Sequence, residues 1–275
     1  MPDIRDGRGD DTLFPQTVTT NFDAAINTPP APVVQPAVLL AEWRADGIGS
    51  VALDNSLGHN VVTAWVSDTG YTLRAPSVAQ APIWHATTVT PSARPAIEFN
   101  GVDEFLETLE LATKLNNLSG CSFTVRASVN TVTPGTLSRI LWIESGSVGT
   151  PRLGFGRPGV STADFFVDGK LLDLDTVQTF EGGQYDAEGW ATHTVRRDYH
   201  NGTVDVSYNG SLKLRSTGVE PMGYADATQS IRMRVGAETN MANPGAFYVY
   251  GIKLYSYAIS DAELASDVTY YAGLY

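Results

Sequence analysis

From Val38 onward, apolar residues come in short runs or alternate with polar ones, and Asn-Gly, Asp-Gly and proline-containing segments punctuate them. Alternation at period two marks strands with one buried face, and strands this short and closely spaced belong to a β-sandwich rather than to βαβ units. The clearest passage is Trp190 to Ser216. Asn201-Gly202 and Asn209-Gly210 flank the alternating segment Thr203 to Tyr208. A type I′ turn needs positive φ at both central residues, which Asn-Gly tolerates, so two such turns and three antiparallel strands are predicted. Asp168-Gly169, between Asp164 to Val167 and Lys170 to Leu172, predicts another hairpin on the same argument. One helix is predicted near the end of the chain. Ser260 and Glu263 form a capping box, each side chain bonding the other's backbone amide, and Leu264, Val268 and Tyr271 then share one helical face.

Residues 1 to 36 differ from the rest. Met1 to Asp11 is polar and acidic, and Thr28 to Pro36 holds four prolines in nine positions. Proline fixes φ and removes a donor, so this stretch is expected to be an extended arm and semi-rigid linker ahead of a β domain spanning 37–275. Phe14, Val18 and Phe22 are the apolar residues with which such an arm would anchor to a partner. Met1 to Asp11 also lacks the basic-then-apolar pattern of a secretory signal, so export by that route is not expected.

Composition narrows the functions. Lys plus Arg number 18 against 30 Asp plus Glu, a formal charge of −12, which is opposite to what a phosphate backbone attracts, so no nucleic-acid partner is expected. No apolar run approaches the roughly 18 residues of a membrane span, so no membrane partner is expected either. The single cysteine, Cys121, can make neither an intrachain disulfide nor a zinc site.

Taken in order, several segments resemble the LamG-like jelly-roll family of the concanavalin A-like lectin and glucanase superfamily. They are Leu39 to Trp43; Val62 to Trp65 with Gly70; Arg94-Pro95-Ala96-Ile97-Glu98-Phe99-Asn100-Gly101-Val102-Asp103-Glu104-Phe105-Leu106; Cys121 to Val125; Trp190 to Leu214; and Phe247 to Leu264. The resemblance covers about 38 to 275. It implies an all-β jelly-roll sandwich of two curved antiparallel sheets with variable rim loops, closed by a short C-terminal helix. The opening of the domain also resembles copies of the family found in phage structural proteins. The superfamily includes enzymes, lectins, adhesion modules and virion proteins, so fold alone does not give function.

Catalytic signals are weak. A glucanase needs two carboxylates facing across the sugar, and the E-x-D-x-x-E strand of the family's retaining enzymes is absent from this sequence. Asp173 and Asp175 share a strand face but read as the solvent side of an edge strand. Gly154 to Gly159 spells G-x-G-x-x-G, yet a strand rather than a helix comes next, so it reads as a β-turn. The histidines, His59, His85, His193 and His200, show no i, i+4 pairing, and His193 reads as a strand residue. Arg8-Gly9-Asp10 and the sequons at Asn117, Asn201 and Asn209 read as turns. Calcium, common at the rim of this superfamily, is a candidate at Glu220 to Asp226 and Glu238 to Asn240, although no spacing specifies a metal site. For sugar stacking, Trp84 and His85 in a proline-flanked stretch, Tyr185 after two glycines, and Asn240 are the candidate ligand contacts. Trp43, Trp65, Trp142 and Trp190 read as core.

The expectation is a non-enzymatic virion protein of a bacteriophage: a decoration, fibre or tail-associated subunit, homo-oligomeric and held to other virion proteins by its arm. The alternative is a carbohydrate-binding module for cell-surface glycans.

Overall fold

The computed structural model describes residues 37–47, 50–87, 93–111, 114, 120–129, 138–145, 151–157, 164–169, 178–184, 190–198, 201–217, 231–237 and 244–274. The arm, with Phe14, Val18 and Phe22, lies outside the described residues, as do Tyr185, Asn240, Asp173, Asp175 and both calcium candidates. All the described elements belong to the compact unit Val33–Tyr275.

The strands in chain order are β1 (Leu39–Arg44), β2 (Val51–Asp54), β3 (Val61–Val66), β4 (Thr72–Arg74), β5 (Ile83–His85), β6 (Ala96–Asn100), β7 (Leu106–Thr108), β8 (Gly120–Val129), β9 (Ser138–Ser145), β10 (Pro151–Arg157), β11 (Asp164–Gly169), β12 (Gln178–Gln184), β13 (Trp190–Asp198), β14 (Thr203–Tyr208), β15 (Ser211–Thr217), β16 (Ile231–Val235) and β17 (Ala246–Tyr255), and the last is succeeded by helix α1 (Asp261–Gly273). Their pairings are antiparallel and form two layers. The first runs β15, β14, β13, β8, β17, after which β6 and β1 share the far edge of β17 and β5 extends β6. The second runs β12, β11, β10, β9, β16, β7, β4, β3, β2. A single β3–β5 pair, Val61 with Ile83, joins them. This is the expected jelly-roll β-sandwich.

Alternation builds the core. Val206, Val195, Phe123 and Leu254 lie in register across the first layer, and Phe155, Leu141, Val235 and Leu106 across the second. All eight are buried, and the Phe123 and Phe155 rings meet between the layers at 5.4 Å. Burying a side chain of this size is worth about 1.5–3 kcal/mol.

The outward row of the first layer is polar: Ser207, Thr194, Thr124, Lys253 and Glu42. Helix α1 covers part of it. The predicted capping box is complete, with Ser260 Oγ accepting from the Glu263 amide and the Ser260 amide donating to Glu263 at 2.7 Å. Leu264 and Tyr271 are buried as expected. A docking contact with no signal in the sequence is Asp267, which accepts from Lys253 Nζ at 2.7 Å, Tyr255 Oη at 2.8 Å and Thr124 Oγ1 at 3.0 Å. Gly251 makes room for the helix, because a Cβ there would lie 3.0 Å from the Trp43 carbonyl and 3.1 Å from the Tyr271 ring.

Three local expectations differ. Asp198 pairs with Thr203, leaving the four residues 199–202 between β13 and β14. Asp198 accepts from the Asn201 amide at 2.9 Å, and of the pair Asn201-Gly202 only Gly202 has positive φ; this is not a two-residue type I′ turn. Asn209-Gly210 is one, with φ of 46° and 80°. Asp168 and Gly169 make no turn. They continue β11, with Asp168 paired to Gly154 on one side and Thr179 on the other, so the strand runs on between two neighbours. Gly154 likewise sits within β10 rather than in a turn, and there a Cβ would fall 2.2 Å from Trp142 Cζ3.

The turn after β6 is built on one side chain. Asn100 Oδ1 accepts from the amides of Val102 at 2.7 Å and Asp103 at 3.2 Å, while the Asn100 amide donates to Glu104 Oε2 at 2.7 Å. Burial pushes the Glu104 carboxyl from 4.5 up to about 7, against the lowering effect of the Asn100 amide. The folded chain therefore holds this proton to higher pH than the unfolded chain, and the contribution to stability declines as pH rises from about 4.5 to about 7. In urea titrations, wild type is expected to lose up to about 3 kcal/mol relative to Glu104→Gln across that window; parallel curves would contradict it.

Candidate functional site

The end of β1 is pinned from several sides. Trp65 Nε1 donates to the Arg44 carbonyl at 3.1 Å, Ser50 Oγ donates to the same carbonyl at 3.0 Å, and Trp84 Nε1 donates to the Ala45 carbonyl at 3.1 Å. The Ala45 amide donates to the Tyr250 carbonyl at 2.8 Å. Indole N–H groups that are buried or half-buried need acceptors, and here two of them fix the backbone on which Glu42, Arg44 and Asp46 are carried.

Strand alternation sends Trp43 into the core and Glu42 and Arg44 outward, where they flank the C-terminal part of α1. Arg44 Nη1 donates to Tyr270 Oη at 2.9 Å, and Arg44 Nε lies 3.2 Å from Asp46. The Tyr270 hydrogen bond raises the Arg44 pKa most, with Asp46 adding and burial opposing. Asp46 also accepts from Tyr250 Oη at 2.6 Å and pairs with Arg94 at 3.4 Å. Burial, with Asp46 second, holds the Tyr250 phenol well above its ordinary range.

Beside this cluster opens a pocket of about 460 Å³, lined by Glu42, Arg44, Gly47, Ser50, Val66, Ser67 and Asp68. Its rim is stitched together by the Glu42 amide donating to Asp68 Oδ1 at 2.8 Å and the Asp68 amide donating to the Glu42 carbonyl at 2.9 Å. Glu42 Oε1, though shielded from solvent, has no hydrogen-bond partner among the described residues. The size falls within the ordinary range for small-ligand sites. Chemically, the pocket offers carboxylates, hydroxyls and one guanidinium over a small apolar wall.

Neither Trp84 nor His85, the sequence-predicted ligand residues among those described, lines this pocket. Trp84 belongs to β5 rather than to a loop; its ring is half-buried against the core and its N–H is committed to Ala45, so it braces the site. His85, next along the strand, faces outward, 2.6 Å from Glu98 Oε2, with its ring 5.9 Å from Tyr248, whose hydroxyl donates to Glu98 Oε1 at 3.0 Å. His193 is a buried strand residue, as expected. Trp43, Trp65 and Trp142 are buried and Trp190 partly so, but Trp142 lies on the outward row of the second layer. There it donates to Glu144 at 3.0 Å beneath the Arg139 guanidinium at 4.6 Å. Arg234 and Arg232 continue that face, both paired with Glu107. Among the described residues no group of three or more His, Cys, Asp or Glu could hold a metal ion, and no helix is long and apolar enough to cross a membrane.

No protein-family model and no curated protein matches the chain. Solved structures do match. The binding domain of botulinum neurotoxin serotype G is similar over 84% of this chain and 50% of that one, at 9% identity and a TM-score of 0.55. The Ruminococcus gnavus IT-sialidase CBM40 bound to α2,3-sialyllactose is similar over 63% of this chain and 96% of that one, at 14% identity and a TM-score of 0.50. The Trypanosoma rangeli sialidase in complex with the inhibitor DANA is similar over 89% of this chain and 35% of that one, at 12% identity and a TM-score of 0.56. The chain thus spans about half the length of the toxin domain it matches. The likeness is one of fold, a β-sandwich shared with carbohydrate-binding domains.

Trp84→Phe tests the bracing. It keeps the ring but leaves the buried Ala45 carbonyl without its donor, at a cost of about 1–3 kcal/mol. A lowered urea midpoint at unchanged m-value is expected; an unchanged midpoint would mean that the indole N–H holds nothing.

Proposed function

We propose that the sandwich is a glycan-binding module and that its sugar contact is the pocket beside β1. The observation that carries this reading is the lining itself. Glu42, Asp68, Ser50 and Ser67 present oxygen atoms around a cavity large enough for one or two sugar rings, and carboxylate and hydroxyl oxygens are the natural acceptors for the hydroxyl groups of a sugar. The sandwich shared with carbohydrate-binding domains supports the same reading. Rigid bracing favours it as well, since a polyol bound through several hydrogen bonds gains most from groups already held in place.

A role in adhesion rather than turnover is the corresponding proposal for activity. The virion setting expected from the sequence rests on residues 1–36 and on a resemblance; neither the fold nor the comparisons bear on it.

The test is retention on immobilised cell-surface glycans. At least one glycan class is expected to be retained, with affinity at least tenfold weaker for Asp68→Asn, about 1.4 kcal/mol, at an unchanged melting temperature. Asparagine preserves the Oδ1 acceptor for the Glu42 amide, so the strand end stays closed. Retention of no glycan, or retention indifferent to this substitution, would contradict the proposal.

A further inference from the structure

The polar atoms of the pocket are unequally spent, and the imbalance bears on which sugars fit. Ser50 Oγ has its single proton shared between the carbonyls of Arg44, at 3.0 Å, and Gly47, at 2.8 Å. Thr69 Oγ1 donates to the Leu40 carbonyl at 2.8 Å, so the Ser67–Thr69 hydroxyl contact at 3.1 Å has Ser67 as its donor. Neither serine therefore has a free proton; Ser50 keeps its lone pairs, and Ser67, whose Oγ accepts from the Tyr71 amide at 2.9 Å, keeps one. Arg44 supplies the remaining wall donors, and its charge is already met by Asp46 and its Nη1 by Tyr270.

Acceptors are left over. Glu42 Oε1 is shielded from solvent and has no hydrogen-bond partner among the described residues, while the Tyr270 phenol hydrogen-bonds to the same carboxylate. Lys253, the register neighbour of Glu42, is turned to Asp267 at 2.7 Å. Asp68 adds a second, exposed carboxylate at the rim. The wall thus carries two carboxylates, Glu42 and Asp68, against a single guanidinium, whose partner Asp46 lies outside the pocket and is shared with Arg94.

From this donor-poor, negatively charged lining we infer that the pocket takes a neutral or amino sugar, a ligand rich in hydroxyl or ammonium donors, and rejects sugars bearing a carboxylate. The inference rests on the pocket being the glycan site. An uncharged pyranose brings several O–H donors to the exposed Asp68 carboxylate and the serine lone pairs, and an ammonium group adds Coulomb attraction to the two carboxylates. A sialic or uronic acid brings its own carboxylate against Glu42 and Asp68, with only Arg44, already engaged by Asp46 and Tyr270, to offset the three, and such an excess of like charge opposes binding. This ligand class differs from the α2,3-sialyllactose seen on one sandwich of similar fold, so the ligand preference would reside in the lining and not in the fold.

The experiment measures binding of the full chain, at low and at high salt, to immobilised glycans of one scaffold. The scaffold ends in a neutral hexose, an amino sugar, or a sialic or uronic acid, and the Glu42→Gln/Asp68→Asn double variant is run in parallel. Wild type is expected to prefer the neutral or amino ends at least tenfold over the acidic ends. The double variant, isosteric but uncharged at both positions, is expected to narrow that ratio, and salt to narrow it for wild type. Equal or stronger binding to acidic ends, still weakened by pocket substitutions, would overturn the inference while leaving the glycan-binding reading in place. Binding to none of the ends would overturn both.

Discussion

The site depends on where two indole N–H groups find their acceptors. Trp65 and Trp84 come from different strands; Trp65 donates to the carbonyl of Arg44, the last residue of β1, and Trp84 to that of Ala45 just beyond it, at 3.1 Å each. Because an unpaired donor in a packed interior costs about 1–3 kcal/mol, core packing and strand-end geometry are one constraint: the tryptophans can be placed only if Arg44 and Ala45 turn as they do. That turn carries Asp46 to Tyr250 and Arg94, leaves Arg44 beside Tyr270, and opens the pocket on the outer face.

Helix α1 sets the other boundary. The buried Asp267 binds Lys253, Tyr255 and Thr124 across two strands, and Gly251 keeps the sheet surface low enough for Tyr271. A buried ion pair of this kind gives orientation more surely than net stability. Its consequence for the site is that Lys253 is committed to the helix and is not free to meet its neighbour Glu42. The acidic character of the pocket is therefore tied to the docking of the helix as much as to the residues that line it.

Much of the fold is legible in the sequence because it obeys local rules. The Asn209-Gly210 turn, the capping box at Ser260, the alternation in β13 and β14 and the burial of Trp43 and Trp65 each rest on a short-range pattern. The misreadings share a cause: Asp168-Gly169 carries a turn signal but is held extended by strands on both sides, and Asn201-Gly202 yields to capping by Asp198. The site is less legible. Trp84 stands out in the sequence for its aromatic ring and in the fold braces the pocket from behind, whereas Glu42 and Arg44 belong to the opening strand, with alternation as the one signal that they face outward. Their junction with Ser50, Ser67 and Asp68 is long-range and leaves no local mark. Tyr185 and Asn240 lie outside the described residues.

A competing surface exists on the same molecule: the outward face of the second layer, where Trp142, Arg139, Arg232 and Arg234 lie with Glu107 and Glu144. Its charges are largely paired with one another, whereas the pocket beside β1 keeps acceptors in reserve. The measurement that separates the two is amide chemical-shift mapping of the isotopically labelled chain, titrated with whichever glycan it retains. The shifts are expected to concentrate at Glu42, Arg44, Ser50, Ser67 and Asp68; shifts concentrated around Trp142 and Arg232, with the β1 end unmoved, would contradict a glycan site beside β1.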